Sequence, residues 1–339
     1  VASAPAVPAA SSEAASEAAP AEDRAEQPPG VLLRVSYVGD AFAGWAPQPD
    51  ARTGAGVLLE AVRRLDPSVS EVRGASRTDA GVHARRQPVA FDPERSIPLR
   101  GWVLGLARHL PRDLAVVEAR LVERGFAPRF ASRGKHYRYL VLREPVPDPF
   151  WWSRAWRVGE LAHASLWAER LSRARHAAAQ LVGTHDFAAF RSSKDARLHT
   201  TRHVSRVELH ALPADPRVLA IDVEGSGFLH HMVRIIAGTL VDVALGRRPV
   251  ECVARALASR ERSLLGVTAP ACGLWLEDVR LEPPALPSLA SASVSTCWPD
   301  RTAAESACAA EDPERAPAAL GSELGQSDVE MVRPGTAVG

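Results

Sequence analysis

The chain has 339 residues, enough for one large domain or two ordinary ones, with 46% hydrophobic residues and a formal net charge of +1. No stretch is apolar for long enough to span a bilayer. The Ala-, Pro- and Glu-rich start lacks the basic region and apolar run of a secretion signal, so the expected compartment is the cytosol.

Residues 1–29 carry a net charge of −4 and almost no large apolar side chains, which predicts a disordered N-terminal extension. The folded part begins at Val31. Val31 to Val38 reads as a strand, and Val57 to Leu65 has helical spacing. Ser70 to Ala75 reads as a short strand running into a polar loop, and Val89 to Phe91 as another. Leu114 to Leu121 and His136 to Leu142 follow as strands, the second alternating in character. Residues 163–182 are Ala- and Leu-rich and end at Gly183, which predicts a helix. Val204 to Ala211 and Val218 to Val223 read as paired strands. Phe228 to Leu245 reads as a long apolar helix, Val250 to Ala258 as a shorter one, and Gly273 to Leu281 as a closing strand. From 283 onward the chain is Pro-rich at first, then acidic with a net charge of −5, which predicts a disordered C-terminal extension.

With tails of −4 and −5 on a chain of +1, residues 30–282 carry +10. Such a charge suits a polyanionic partner, although an Arg-rich soluble surface would give the same count. Arginine supplies nearly all of it, for Lys135 and Lys194 are the only lysines. The four cysteines contain no C-x-x-C pair, which argues against a disulfide framework or a zinc site. Strands and helices mix without a βαβ period, so the fold class is α+β. Residues 30–145 and 146–282 hold both element types in comparable amounts, the pattern of two similar halves, with no clear internal repeat.

Three stretches carry chemistry. The first is the polar loop Gly74-Ala75-Ser76-Arg77-Thr78-Asp79-Ala80-Gly81-Val82-His83, in which small residues surround one acid and one base. A capped turn, with Asp79 accepting backbone N–H bonds, is the plainer reading. The second is Arg234 in the apolar run Phe228-Leu229-His230-His231-Met232-Val233-Arg234. A guanidinium there needs a carboxylate, and Asp79 is a candidate; Asp242, or simple snorkelling to solvent, is the alternative. The third is Lys135-His136-Tyr137-Arg138-Tyr139, where period two puts the tyrosines on one strand face and His136 and Arg138 on the other. Aromatic and cationic groups together suit base stacking, and ordinary core aromatics have the same pattern. On a continuous helix His230 and His231 would point about 100° apart, so they read as packing and RNA-facing residues and not as a metal pair.

Together these stretches resemble the tRNA pseudouridine synthase A family. The motifs are Arg77-Thr78-Asp79-Ala80-Gly81-Val82-His83, Tyr137-Arg138-Tyr139 and Phe228-Leu229-His230-His231-Met232-Val233-Arg234. Weaker landmarks, from Tyr37 with Gly44-Trp45 to Gly273-Leu274, fall in order, and the likeness spans about residues 31–282. The resemblance implies the pseudouridine synthase fold, a mixed, mainly antiparallel sheet with flanking helices. It implies that Asp79 is the catalytic carboxylate, as nucleophile or base, and that Arg234 is its ion-pair partner. Tyr137 would stack on the target base and Arg77 would help hold the flipped nucleotide. The implied reaction isomerises uridine to pseudouridine at tRNA positions 38, 39 and 40, in a homodimer, with no cofactor or metal. The family's usual Gln after Gly-Trp is Ala46 here, and Ala55, Ala107 and Ala127 also stand where it tends to have polar side chains. Two other readings are a tRNA-binding member that has lost catalysis, and a hydrolase using Asp79 with His83; the second lacks an evident second acid.

Overall fold

The computed structural model describes residues 27–282 and 293–295. The expected disordered extensions fall almost wholly outside the described residues. The exceptions are 27–29, which have no regular structure, and 293–295, which form a short strand.

The first strand, β1 (Gly30–Tyr37), alternates as its sequence does: Val31, Leu33, Val35 and Tyr37 all point into the main core. Helix α1 (Gly54–Leu65) starts where Thr53 accepts the Gly56 N–H with its hydroxyl, and it buries Ala55, Leu58, Ala61 and Val62. Then come β2 (Arg73–Gly74), β3 (His83–Phe91), α2 (Leu99–Ala107), β4 (Leu114–Val122) and β5 (Ser132–Leu142). The remainder is β6 (Trp156–Arg157), α3 (Trp167–Ala179), β7 (Gly183–Asp186), β8 (Thr201–Leu212), β9 (Asp215–Gly225), α4 (Met232–Ala244), α5 (Cys252–Ser259), β10 (Leu274–Leu281) and β11 (Ser293–Ser295).

The eleven strands of the described residues form one sheet in the order β11-β4-β1-β3-β10-β5-β9-β8-β7, with β2 added to β3 and β6 to β5. Only the β3–β10 and β5–β6 pairings are parallel among the described strands. β10, late in the chain, is the join: it pairs β3 on one side and β5 on the other. One sheet face packs under the helices in a single large core that includes Leu33, Leu58, Trp102, Tyr139, Phe187 and Ile236. The alternate residues make two smaller apolar clusters on the other face, around Leu32 and around Leu140. Ion pairs such as Arg86–Glu118 and Arg138–Asp222 also lie on that face.

The fold differs from the expected elements at several places. Strand β3 runs back to His83: Arg85, Arg86 and Pro88 interrupt its apolar pattern, and its pairing with β1 shifts register at Arg85–Arg86 and resumes at Ala84 opposite Tyr37. The strand expected at 70–75 shrinks to two residues. Helix α2 has two glycines and opens at Pro98, so it carries little sequence signal. The long helix begins only at Met232. His231 has a left-handed backbone, φ 63°, and Phe228 to His231 form a non-helical approach.

Candidate active site

Asp79 lies on a loop fixed from several sides. The Trp45 N–H donates to the Thr78 carbonyl, and the Thr78 hydroxyl meets the Tyr37 hydroxyl at 2.7 Å. Trp45 packs so close to β2 that a Cβ at Gly74 would sit 2.2 Å from its Nε1. Gly81 turns the loop back into β3 with φ +78°, a conformation suited to glycine. Among the described residues no backbone N–H donates to the Asp79 carboxylate, so the capped-turn reading does not describe this acid.

The carboxylate meets three cationic or potentially cationic groups instead. His230 Nε2 is 3.4 Å from Oδ1; His231 Nε2 and Arg234 Nη1 are 3.4 and 3.5 Å from Oδ2. Arg234 is held from behind, its Nε donating to the Ala269 carbonyl at 2.8 Å. Asp242, the alternative partner, pairs with Arg247. The Asp79 contacts are longer than tight hydrogen bonds, so the carboxylate oxygens still face the cavity with lone pairs to use.

The histidine pair requires a correction. Because the approach to α4 is not helical, both rings turn the same way, with centroids 3.9 Å apart, and both converge on Asp79. The three donor atoms lie within 4.8 Å of one another and could hold a metal ion. However, Arg234 already places a positive charge against the same carboxylate, and a bound cation would have to oppose it. Burial, then Arg234 and the neighbouring His230, push the His231 pKa below its ordinary value.

These residues line a cavity of about 840 Å³, which also takes in Arg77, Lys135, Tyr137, Phe228 and Leu274. Thus Asp79, Arg234, Tyr137 and Arg77 all reach one space, from three distant parts of the sequence. Arg77 is exposed at its wall. Tyr137 is buried, edge-on to Phe228 at 5.4 Å, with its hydroxyl 2.9 Å from the Ser76 hydroxyl. Burial raises its pKa to about 12. His136 and Arg138 lie on the opposite sheet face, both bonded to buried Asp222, so they are not the cationic companions of this aromatic. That place belongs to Lys135, whose Nζ donates to the Ser76 hydroxyl at 2.9 Å. Burial first, then Arg129 and Arg197, lower the Lys135 pKa to about 8.

His83, the base of the aspartate motif, is structural. Its Nδ1 accepts the Gly39 N–H at 3.0 Å, so its proton sits on Nε2, 3.0 Å from the Cys272 carbonyl. It is fully buried and stacked on Trp275. Ala46 and Ala55 line the cavity; Ala107 and Ala127 are not among its lining residues.

A second, rearward clamp holds the histidine turn. Asp195 accepts the His230 N–H at 2.8 Å and the Ser192 N–H donates to the His230 carbonyl at 2.9 Å. Neither the clamp nor Lys135's bond to Ser76 had a sequence signal, since each joins segments far apart in the chain.

Comparison with known proteins identifies the family. A family model described as tRNA pseudouridine synthase matches residues 177–282. The chain is 42% identical to tRNA pseudouridine synthase A of Myxococcus xanthus over 259 residues, which is 76% of this chain and 94% of that protein. It is 41% identical to the Pelobacter propionicus protein of the same name, covering 74% of this chain and 98% of that one. With the Pseudomonas aeruginosa protein of that name it shares 37% identity, over 78% of this chain and 90% of the other. The chain therefore belongs to the tRNA pseudouridine synthase A family.

Proposed function

We propose that this chain isomerises uridine to pseudouridine in tRNA, with Asp79 as the catalytic carboxylate. The observation that carries the reading is the Asp79 carboxylate itself: open to a large cavity, backed by Arg234 and unclaimed by backbone donors. The reaction breaks the N1–C1′ bond, turns the uracil, and joins C5 to C1′; C5 then loses a proton and N1 gains one. An ionised carboxylate serves this either by attacking C1′ or by removing a sugar proton. Arg234 sets a positive charge 3.5 Å from that carboxylate.

Taking the uridine out of its stack costs about a few kcal/mol, and contact with Tyr137 offsets roughly 1–3 kcal/mol of that. Arg77, which lines the cavity, would help hold the flipped nucleotide. The basic charge of residues 30–282 supports polyanion binding. We infer in addition that the targets are tRNA positions 38, 39 and 40, that the enzyme works as a homodimer in the cytoplasm, and that it needs no cofactor. These finer points rest on the family likeness. The deciding experiment is a tritium-release assay with C5-labelled uridine in tRNA, comparing the wild type with Asp79→Asn. Release by the wild type alone supports the reading; equal release by both sinks the role of Asp79.

A further inference from the structure

We propose that Lys135 is a positioning residue that, through Ser76, turns the Tyr137 hydroxyl into a hydrogen-bond donor aimed at the cavity. The inference rests on the function proposed above and concerns the same site.

The argument is one of donor counting. An ammonium group can only donate. Lys135 Nζ lies 2.9 Å from Ser76 Oγ and 3.3 Å from the Ala75 carbonyl, so Ser76 Oγ accepts. A serine hydroxyl has one proton, and Ser76 Oγ lies 2.9 Å from the Tyr137 hydroxyl. Ser76 Oγ has two lone pairs and could accept from Tyr137 as well, but the Tyr137 oxygen is the one acceptor its own proton meets among the described residues, so that proton goes there. The phenol proton is left for an acceptor in the cavity, and a pyrimidine carbonyl oxygen is the class of group that fits. A neutral lysine could instead accept from Ser76, which could then accept from Tyr137, and the chain would point the other way.

Three observations support the choice of this lysine. The strand period puts residues 135 and 137 on the same face of β5, toward the cavity. Ser76 is fixed in place, because the Gln87 side chain donates to its carbonyl. The chain has 41 basic side chains of Lys and Arg type, of which only Lys135 and Lys194 are lysines, and one of those two stands here. A lysine is the basic residue whose charge shifts readily on burial.

The charged groups that face Lys135 are Arg129 and Arg197, both of which oppose its ammonium. Asp79, Glu71 and His230 line the same cavity. With the lysine pKa lowered to about 8, the hydrogen-bond direction becomes sensitive to mildly alkaline pH. The charged form, present below that pH, is the one that presents Tyr137 as a donor.

The test measures kcat and KM for tRNA from about pH 6.5 to 9.5 in the wild type, Lys135→Met, Lys135→Arg and Ser76→Ala. Lys135→Met and Ser76→Ala should each lower kcat about tenfold at pH 7, the worth of one charge-assisted bond, with KM nearly unchanged. Lys135→Arg should retain most of the rate at pH 7. It should also lose the fall in kcat that the wild type shows above about pH 8. In parallel, the ring-carbon NMR shift of Tyr137, one of only three tyrosines, should titrate near that pH in the wild type and not in Lys135→Arg. An unchanged kcat in Lys135→Met, an effect confined to KM, or the same alkaline fall in Lys135→Arg would each overturn the proposal. A wild type that makes no pseudouridine would sink the function itself, while the NMR titration would still test the hydrogen-bond chain.

Discussion

His231 Nε2 lies 3.4 Å from Asp79 Oδ2 because the residue just before α4 takes a left-handed backbone conformation. A helix continued back through this position would swing the ring away. The backbone strain of a non-glycine residue in that region, about 1–2 kcal/mol, is thus spent at the site where the two imidazoles meet the carboxylate.

This gives a first prediction. His231→Gly should keep the turn and remove only the imidazole, so its melting behaviour should stay near that of the wild type while activity falls. His231→Val, which disfavours the left-handed region, should in addition lose about 1–2 kcal/mol of stability. Denaturant midpoints and tritium release on the two variants separate backbone from ring. Equal stability of both would show that the left-handed turn is not held by this residue.

Asp79→Asn should fold and bind tRNA with near-normal affinity. Its pseudouridine formation should drop by about three orders of magnitude or more. Filter binding and tritium release on the same preparation check the two halves of this statement.

Removal of Arg234 should affect both stability and rate. Its Nε bond to the Ala269 carbonyl is a charge-assisted contact, and its Nη1 faces Asp79. Arg234→Ala should lose on the order of 2 kcal/mol, seen as a lower urea midpoint, with turnover reduced as well. A variant with wild-type midpoint and wild-type rate would remove it from the site.

Stability should fall as pH drops below about 6.5, the ordinary histidine value. The sign follows from His83, whose folded pKa is lowered chiefly by burial. Its neutral form accepts from Gly39 and donates to Cys272, so the folded state resists a second proton that the unfolded state takes up. The unfolded chain then binds more protons, and stability is lost as pH falls toward the lowered pKa. His231, also lowered, adds in the same direction. Urea midpoints at pH 7.5 and pH 5, with the His83 ring signals followed by NMR, measure this; a His83 that titrates at its ordinary value in the folded protein would contradict it.

Much of the architecture was legible in the sequence. The alternation of β1 and β5 and the apolar content of α4 mark those elements plainly, and Asp79, Arg234, Tyr137 and Arg77 all reach the cavity. What was not legible depends on tertiary context. β3 resumes at His83 and Ala84 beyond a register shift at Arg85–Arg86, because Tyr37 of β1 and Trp275 and Leu276 of β10 pair with it there. The reading of the two histidines assumed an unbroken helix, and a single left-handed residue reverses it. Lys135 was visible beside Tyr137, but its tie to that ring runs through Ser76, about sixty residues earlier in the chain.

The central place of β10 bears on how the protein is made. Residues 274–281 cover a stretch of ladder edge on both β3 and β5, beside the short strands β2 and β6. On the ribosome, everything before them emerges first, so the middle of the sheet stays unzipped until nearly the whole folded region has been synthesised. A nascent chain halted short of Leu274 would carry two partly bare strand edges, the kind of surface to which a chaperone or another unfinished copy attaches.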